Sequence, residues 1–383
     1  MAPDAFKARV WLAVHLSDGV RGQHGERIAA TATEFVAHGG LPFAELAERG
    51  IDPRSVIDFS VSVHPLGPSP RVLEAARTAE LGCYPDPEVG ALRQALARRH
   101  GVATEQVWVG NGASELLWLA AHAALRGGDS ALTIGPTYGE YGRAARLAGA
   151  VVGEYWSPAD REFAPDLDEI ELLAELQRPR VVFLCNPNNP TGVYLGRDQV
   201  ARLAGLADRP LLILDEAFVG FCQEPWDALE LLSTNENVLL VRSMTKDHGI
   251  PGLRLGYALG SSTLIAQMRH LAPPWSVNAA AQTAGLAALA DDAHLEAGRQ
   301  EVQRIAAYLR PALATFGLTL RPSAANFWLM AVPNAHTLRT ALLQHGVLVR
   351  DCGSFGLPGY VRIGARPLAD CQRLVAALSA CLA

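Results

Sequence analysis

Lys246 stands in Arg242-Ser243-Met244-Thr245-Lys246, directly after an apolar run, and Pro251-Gly-Leu-Arg-Leu-Gly-Tyr follows at 251–257. A lysine just past a buried strand end can shed its proton in a sheltered pocket, and the neutral amine can form a Schiff base with an aldehyde. The hydroxyls of Ser243 and Thr245, with Arg254 eight residues beyond the lysine, supply the donors and the planar cation that a phosphate dianion needs. Taken alone, Lys246 also reads as a surface loop lysine. Ser243-x-x-Lys246 matches the Ser-x-x-Lys of penicillin-recognising enzymes, but neither Ser-Asp-Asn nor Lys-Thr-Gly occurs in the chain, so that chemistry is set aside.

Four further segments carry chemistry of the same kind. The run Leu211-Leu212-Ile213-Leu214 leads into Asp215, a carboxylate at a strand's carboxyl end, where it can hold a heteroaromatic nitrogen protonated or serve as a helix cap or ion-pair partner. Gly110-Asn111-Gly112-Ala113-Ser114 joins a strand to a helix and offers free backbone N–H groups as an anion site; a third glycine of a dinucleotide fingerprint would fall at Glu115. Asn186-Pro187-Asn188-Asn189-Pro190 makes a stiff loop that either aims an amide or simply turns the chain. Pro136-Thr137-Tyr138 places a ring where it can stack on a planar ligand or pack ordinarily. Their shared placement at strand ends of one sheet describes a site for an aldehyde cofactor with a phosphate and a pyridine ring.

The elements that must position these residues follow from periodicity. Short apolar runs at 106–109, 129–134, 150–156, 180–185, 210–215, 237–242 and 255–259 alternate with helical patterns such as 112–127 and 197–207, as in a crossover sheet. After Pro273-Pro274 a long helical region at 278–316 leads to strands at 326–331, 347–350 and 360–363 and a helix at 336–345. Residues 1–70 show little regular pattern beyond a possible helix at 25–37, and 65–70 reads as a rigid extended hinge. The expected fold class is α/β, a mostly parallel mixed sheet flanked by helices with a smaller α/β C-terminal domain. The expected division is 1–70, 71–274 and 275–383.

Composition narrows the class. The 383 residues suffice for two or three domain-sized units, 49% are hydrophobic, and 33 basic against 39 acidic residues give a net charge of −6. That balance argues against nucleic acid or an anionic membrane as partner. Six scattered cysteines show no zinc spacing, and no apolar run approaches the length of a bilayer span. A cytoplasmic protein is expected.

On these motifs the chain resembles pyridoxal-phosphate enzymes of the class I/II aminotransferase superfamily, from about residue 38 onward. The resemblance implies that Lys246 is the internal-aldimine lysine, that Asp215 pairs with the pyridinium nitrogen, and that Asn189 bonds the ring hydroxyl. It further implies that Tyr138 stacks on the ring, and that Gly112, Ala113, Ser114, Ser243, Thr245 and Arg254 form the phosphate site. Tyr84, in Tyr84-Pro85-Asp86, would reach that phosphate from the partner subunit of a homodimer, and Arg362 would bind the substrate α-carboxylate.

Within the superfamily the chain is similar to histidinol-phosphate aminotransferases and, more closely, to L-threonine O-3-phosphate decarboxylases of cobalamin biosynthesis. The motifs are His38-Gly39-Gly40, Asp58-Phe59-Ser60 with His64-Pro65-Leu66-Gly67-Pro68, Pro274-Trp275-Ser276, and Ala325-Asn326-Phe327. A decarboxylase is therefore the first expectation and an aminotransferase the second, with His38, Arg350, His64 and Asn326 as substrate contacts. A specialised elimination or cyclisation enzyme is the third. It is suggested by Ser62 and His64, where relatives show Asn-x-Asn-Pro, and by Asp247-His248, where the decarboxylases carry two aromatics after the lysine.

Overall fold

The structure, a computed structural model, describes residues 36–382. Seven strands form the principal sheet: β2 (Val107–Gly110), β3 (Ser130–Gly135), β4 (Val151–Trp156), β5 (Val181–Cys185), β6 (Leu211–Asp215), β7 (Val238–Arg242) and β8 (Gly256–Leu259), in the order β2-β8-β7-β6-β5-β3-β4. Only β8 runs against its neighbours; the other pairings are parallel. Every residue of β5 is buried, and successive side chains enter different cores. Val182 and Leu184 join Leu212, Leu214 and Leu240 on one face, while Phe183 joins Ile213, Leu239 and Val241 on the other. A sheet covered on both faces needs such unbroken apolar runs, so these strands are written without polar alternation.

Helices cover both faces. The helix Ala113–Ala124 sends Leu116 and Leu119 into the second core, and Arg197–Ala204 sends Val200 and Leu203 into the first. The proline-rich stretch expected as an extended hinge is instead a turn and a helix start. Gly67 is left-handed (φ 70°), and Ser69 caps the helix Pro70–Arg77 by accepting from the Val72 N–H, with Pro70 at the first position where its missing N–H costs nothing. The helical region expected at 278–316 divides into Ala279–Leu289 and Asp292–Ala314. The first of these buries Ala281, Ala284 and Ala288 against the core of the large sheet; the second belongs to a separate core with Trp328, Met330 and Ile363.

That separate core lies under a three-stranded antiparallel sheet of β9 (Phe327–Ala331), β11 (Arg350–Asp351) and β12 (Tyr360–Gly364), ordered β11-β12-β9. The short β1 (Ile57–Asp58) pairs in parallel with β10 (Val347–Leu348), fastening the segment before residue 70 to this unit. The possible helix at 25–37 lies almost wholly outside the described residues, and residues 36 and 37 are not helical. Among the described residues no helix is long and apolar enough to cross a membrane.

Candidate active site

The carboxyl ends of β3, β5, β6 and β7 open onto a cleft of about 410 Å³, closed on its far side by β11, β12 and the chain around residues 36–39 and 60–62. Asp215, the last residue of β6, is 4% exposed. Its Oδ2 accepts from the Tyr141 hydroxyl at 2.7 Å and its Oδ1 from the Ala217 N–H at 2.9 Å. Burial pushes its carboxyl above the ordinary value, against the pull of those two donors and of Lys246. A cation against it would restore the anion.

Lys246 rides on the one-turn helix Met244–Asp247 that follows β7. Burial, aided by the charges of Arg362 and Arg254, lowers its amine to about 8, and Asp215 opposes the shift. Its Nζ lies 5.9 Å from the centre of the Phe218 ring. A lysine so tuned is partly neutral near neutrality and nucleophilic.

The strand-to-helix turn at 110–114 forms the opposite corner. Gly112 is left-handed at φ 82° and leaves the helix Ala113–Ala124 without a side-chain cap, so its first N–H groups stay free. A Cβ at Gly112 would stand 2.6 Å from Arg254 Nη2; the missing side chain is the space the guanidinium uses. Ser243 Oγ and Thr245 Oγ1 lie 2.6 Å apart, both residues buried. Ser114 Oγ is 3.3 Å from the Tyr138 hydroxyl. Uncapped N–H groups, two hydroxyls and an arginine make a cradle whose donors suit a phosphate, so the residues present fit a phosphate-bearing aldehyde with a ring nitrogen beside Asp215.

Arg350 and Arg362 are directly opposite each other across β11 and β12, an arrangement that repels unless each charge is answered. Arg362 donates through Nη1 to Asn189 Oδ1 and through Nη2 to the Ser60 carbonyl at 2.7 Å; burial lowers it to about 10. Arg350 donates to the carbonyls of Ala37 and His38 and to Ser354 Oγ, at 2.6, 3.0 and 2.6 Å, and lies over the Phe355 ring.

Twelve of the residues singled out in the sequence thus share one cleft: Ala113, Ser114, Tyr138, Asn189, Asp215 and Ser243, with Thr245, Lys246, Arg254, Arg350, Arg362 and His38. The His38 ring also pairs with Glu140 at 3.1 Å. Gly112 stands just behind Arg254.

Three others lie elsewhere in this chain. His64 is 1% exposed and turned inward, where its Nε2–H donates to the His294 carbonyl at 3.0 Å and its ring stacks on His294 at 4.2 Å. The Leu66 N–H donates to Nδ1, which leaves no lone pair for a ligand, and burial holds the imidazole near pKa 4. Asn326 is wholly buried, and its amide N–H donates to the Val63 carbonyl at 2.9 Å, so it fixes the chain beside the cleft without lining it. Tyr84 is 80% exposed and packs on Trp275, ring centres 4.9 Å apart.

Asp247 and His248 also leave the cleft. They line a separate cavity of about 290 Å³ with Arg242, Arg299 and Tyr257, on the other side of the Lys246 turn. The sequence reading missed Tyr141, whose hydroxyl is the main partner of Asp215; a tyrosine one turn into a helix carries no signal apart from its spacing of three from Tyr138.

A parallel-dominated sheet with a lysine and a carboxylate at adjoining strand ends, faced by paired arginines, is the architecture of aspartate-aminotransferase-like enzymes. The sequence profile described as "Aminotransferase class I and II" matches residues 54–378, and the chain belongs to that family, whose members depend on pyridoxal phosphate. A histidinol-phosphate aminotransferase of Symbiobacterium thermophilum is 35% identical over 347 residues, 90% of this chain and 95% of the relative. The histidinol-phosphate aminotransferase of Sinorhizobium meliloti in complex with pyridoxal-5'-phosphate superposes with a TM-score of 0.83 at 25% identity, over 94% of this chain and 98% of that one. The L-threonine-O-3-phosphate decarboxylase of Porphyromonas gingivalis superposes at 0.74 with 30% identity, over 84% and 98%.

Proposed function

We propose that this chain is an aminotransferase of the histidinol-phosphate type, moving an amino group between a phosphate-tailed amine and a 2-oxo acid. What carries the reading is the similarity at 35% identity across nine-tenths of the chain to enzymes of that name, joined to a cleft with two opposed arginines. It reverses the ranking expected from the motifs, where the decarboxylase stood first. That enzyme remains the second reading, favoured by its 30% identity as a structural neighbour and by His38 and Gly39 on the cleft wall.

Pyridoxal phosphate, when bound, supplies an aldehyde and an electron-accepting pyridine ring. In the reading proposed, the free N–H groups of Ala113 and Ser114, the Ser243 and Thr245 hydroxyls and Arg254 would hold its phosphate, and Asp215, whose anionic form Tyr141 favours through its hydrogen bond, would pair with the ring nitrogen. Tyr138 would cover the ring, and Asn189, whose Oδ1 is taken by Arg362, would have its amide N–H left for the ring hydroxyl. Lys246 Nζ, neutral for part of the time at physiological pH, would be the amine that meets the aldehyde and the base that would hold and return the proton of the substrate Cα. Arg362 orients the substrate's anionic head.

We divide the chain into an N-terminal segment, 1–70, a cofactor domain, 71–274, and a small domain, 275–383, and read the working unit as a homodimer in which Tyr84 reaches the partner's phosphate site.

The test is incubation of the pyridoxal-phosphate-loaded protein with histidinol phosphate and 2-oxoglutarate, scored by glutamate, beside phosphothreonine scored by CO₂. Glutamate without CO₂ is the expected result. CO₂ release without glutamate would establish the decarboxylase instead.

A further inference from the structure

The polar groups around Arg362 are nearly all engaged. Ser60 Oγ accepts from the Gly40 N–H at 2.8 Å and donates to Asp58 Oδ1 at 2.6 Å, and its carbonyl takes Arg362 Nη2. Asn189 takes Nη1. Two buried atoms of the cleft wall have no hydrogen-bond partner among the described residues: Arg362 Nε and the Ser62 hydroxyl.

Ser62 is 1% exposed, and its position is fixed from both sides. The Val63 carbonyl is held by Asn326, and the His64 N–H donates to the Lys246 carbonyl at 3.0 Å. The neighbouring β12 runs hard against this segment. Gly364 N–H donates to the Phe59 carbonyl at 2.8 Å, and a Cβ on Gly364 would stand 2.1 Å from the Val61 carbonyl. A buried hydroxyl without a partner is a net cost to folding, so one held this firmly in the wall of a cleft that also holds an unused guanidinium N–H marks a place where an acceptor belongs. A carboxylate accepts only, and its several lone pairs can take a hydroxyl and a guanidinium donor together.

We propose that Ser62 is a substrate-binding residue whose hydroxyl, with Arg362, grips the α-carboxylate of the amino- or oxo-acid partner and so separates it from the corresponding amine. This rests on the aminotransferase reading, in which at least one partner of the exchange carries that carboxylate. In relatives with Asn at this position the amide presents both a donor and an acceptor. Serine presents a rotor that can turn its only proton toward the anion.

L-Glutamate and 4-aminobutyrate differ only in the α-carboxylate, and the half-saturation of each is read from the absorbance change of the bound cofactor in the loaded protein. Ser62→Ala is expected to weaken L-glutamate by about 10- to 100-fold, the range for a hydrogen bond to a charged group, and to leave 4-aminobutyrate unchanged. Ser62→Thr, which keeps the hydroxyl, should stay close to the parent, and pyridoxal-phosphate affinity by equilibrium dialysis should not move in either variant. Equal weakening of both ligands, no weakening of either, or a loss confined to the cofactor each overturns the proposal. A parent protein whose absorbance ignores L-glutamate overturns the aminotransferase reading with it. A parent that responds, matched by an unaltered Ser62→Ala, overturns the role of Ser62 alone.

Discussion

Tyr141 lays its hydroxyl on Asp215, so its effect on chemistry runs through the charge of that carboxylate. Tyr141→Phe removes one of two donors from a fully buried anion, and the rate should fall about tenfold, a hydrogen bond to a charged group being worth about 1.5–3 kcal/mol. The fall should come with weaker cofactor binding and should not be rescued by substrate concentration. The lowered amine of Lys246 gives a second prediction. The neutral form is the nucleophile, so the rate at which apoprotein captures pyridoxal phosphate should rise with pH around a midpoint near 8 instead of 10.5, followed by stopped-flow absorbance. A midpoint near 10 would mean that the amine is solvated. Lys246 and Asp215 were readable in the sequence because Asp215 ends one apolar strand and Lys246 closely follows another, and strand ends of such sheets share one edge. The facing of Asp247 and His248 was not readable. One residue along a helix rotates the side chain by about 100°, so neighbours of the lysine leave its cleft. His64 was misplaced for a related reason: the turn at Pro65-Leu66 ends the alternation that Ser62 obeys.

At the scale of elements, the turn that carries Gly112 tolerates no side chain. Gly112→Ala imposes a left-handed alanine and pushes Arg254 aside, and should destabilise by about 1–2 kcal/mol while weakening the cofactor at least tenfold, measured by thermal unfolding and dialysis. The one-turn helix of Lys246 carries a different liability. Asp247 has a buried Oδ1 with no hydrogen-bond partner, and burial raises its carboxyl to about 7 despite Arg242 and Arg299. The folded state then binds the proton more tightly than the unfolded chain, so this residue's contribution to stability is fullest below about pH 4 and is lost as pH rises to about 7. Asp247→Asn should therefore raise the unfolding free energy of the apoprotein at pH 8, by on the order of 1–2 kcal/mol, and change little at pH 4, as read by denaturant unfolding. The strands of the large sheet were legible to within a residue or two because the central ones, β5, β6 and β7, are buried on both faces and are almost wholly apolar. The break between Ala279–Leu289 and Asp292–Ala314 was not, since Ala290 lacks the glycine or proline that advertises a stop.

The whole molecule leaves Leu81, Tyr84 and Trp275 at 79%, 80% and 46% exposure along one region, a surface suited to a second copy of the chain. The proposed shared site makes a complementation test decisive. Lys246→Ala and Tyr84→Ala, each impaired alone, should regain roughly a quarter of parental activity when co-refolded, because half the dimers are mixed and each mixed dimer holds one intact site. No recovery would place Tyr84 outside the partner's site. The motif at 84–86 pointed to Tyr84 as the residue that crosses to a partner, but that Trp275 lies beside it emerges only from the fold.

Arg350 is answered by the carbonyls of Ala37 and His38, so a stretch of backbone that precedes every sheet in the fold acts as the stopper on a cation. A protein trimmed to begin after Gly40 would release that guanidinium opposite Arg362. The cleft would then hold a second free cation, and inorganic phosphate would become a better competitor of L-glutamate in the trimmed protein than in its parent.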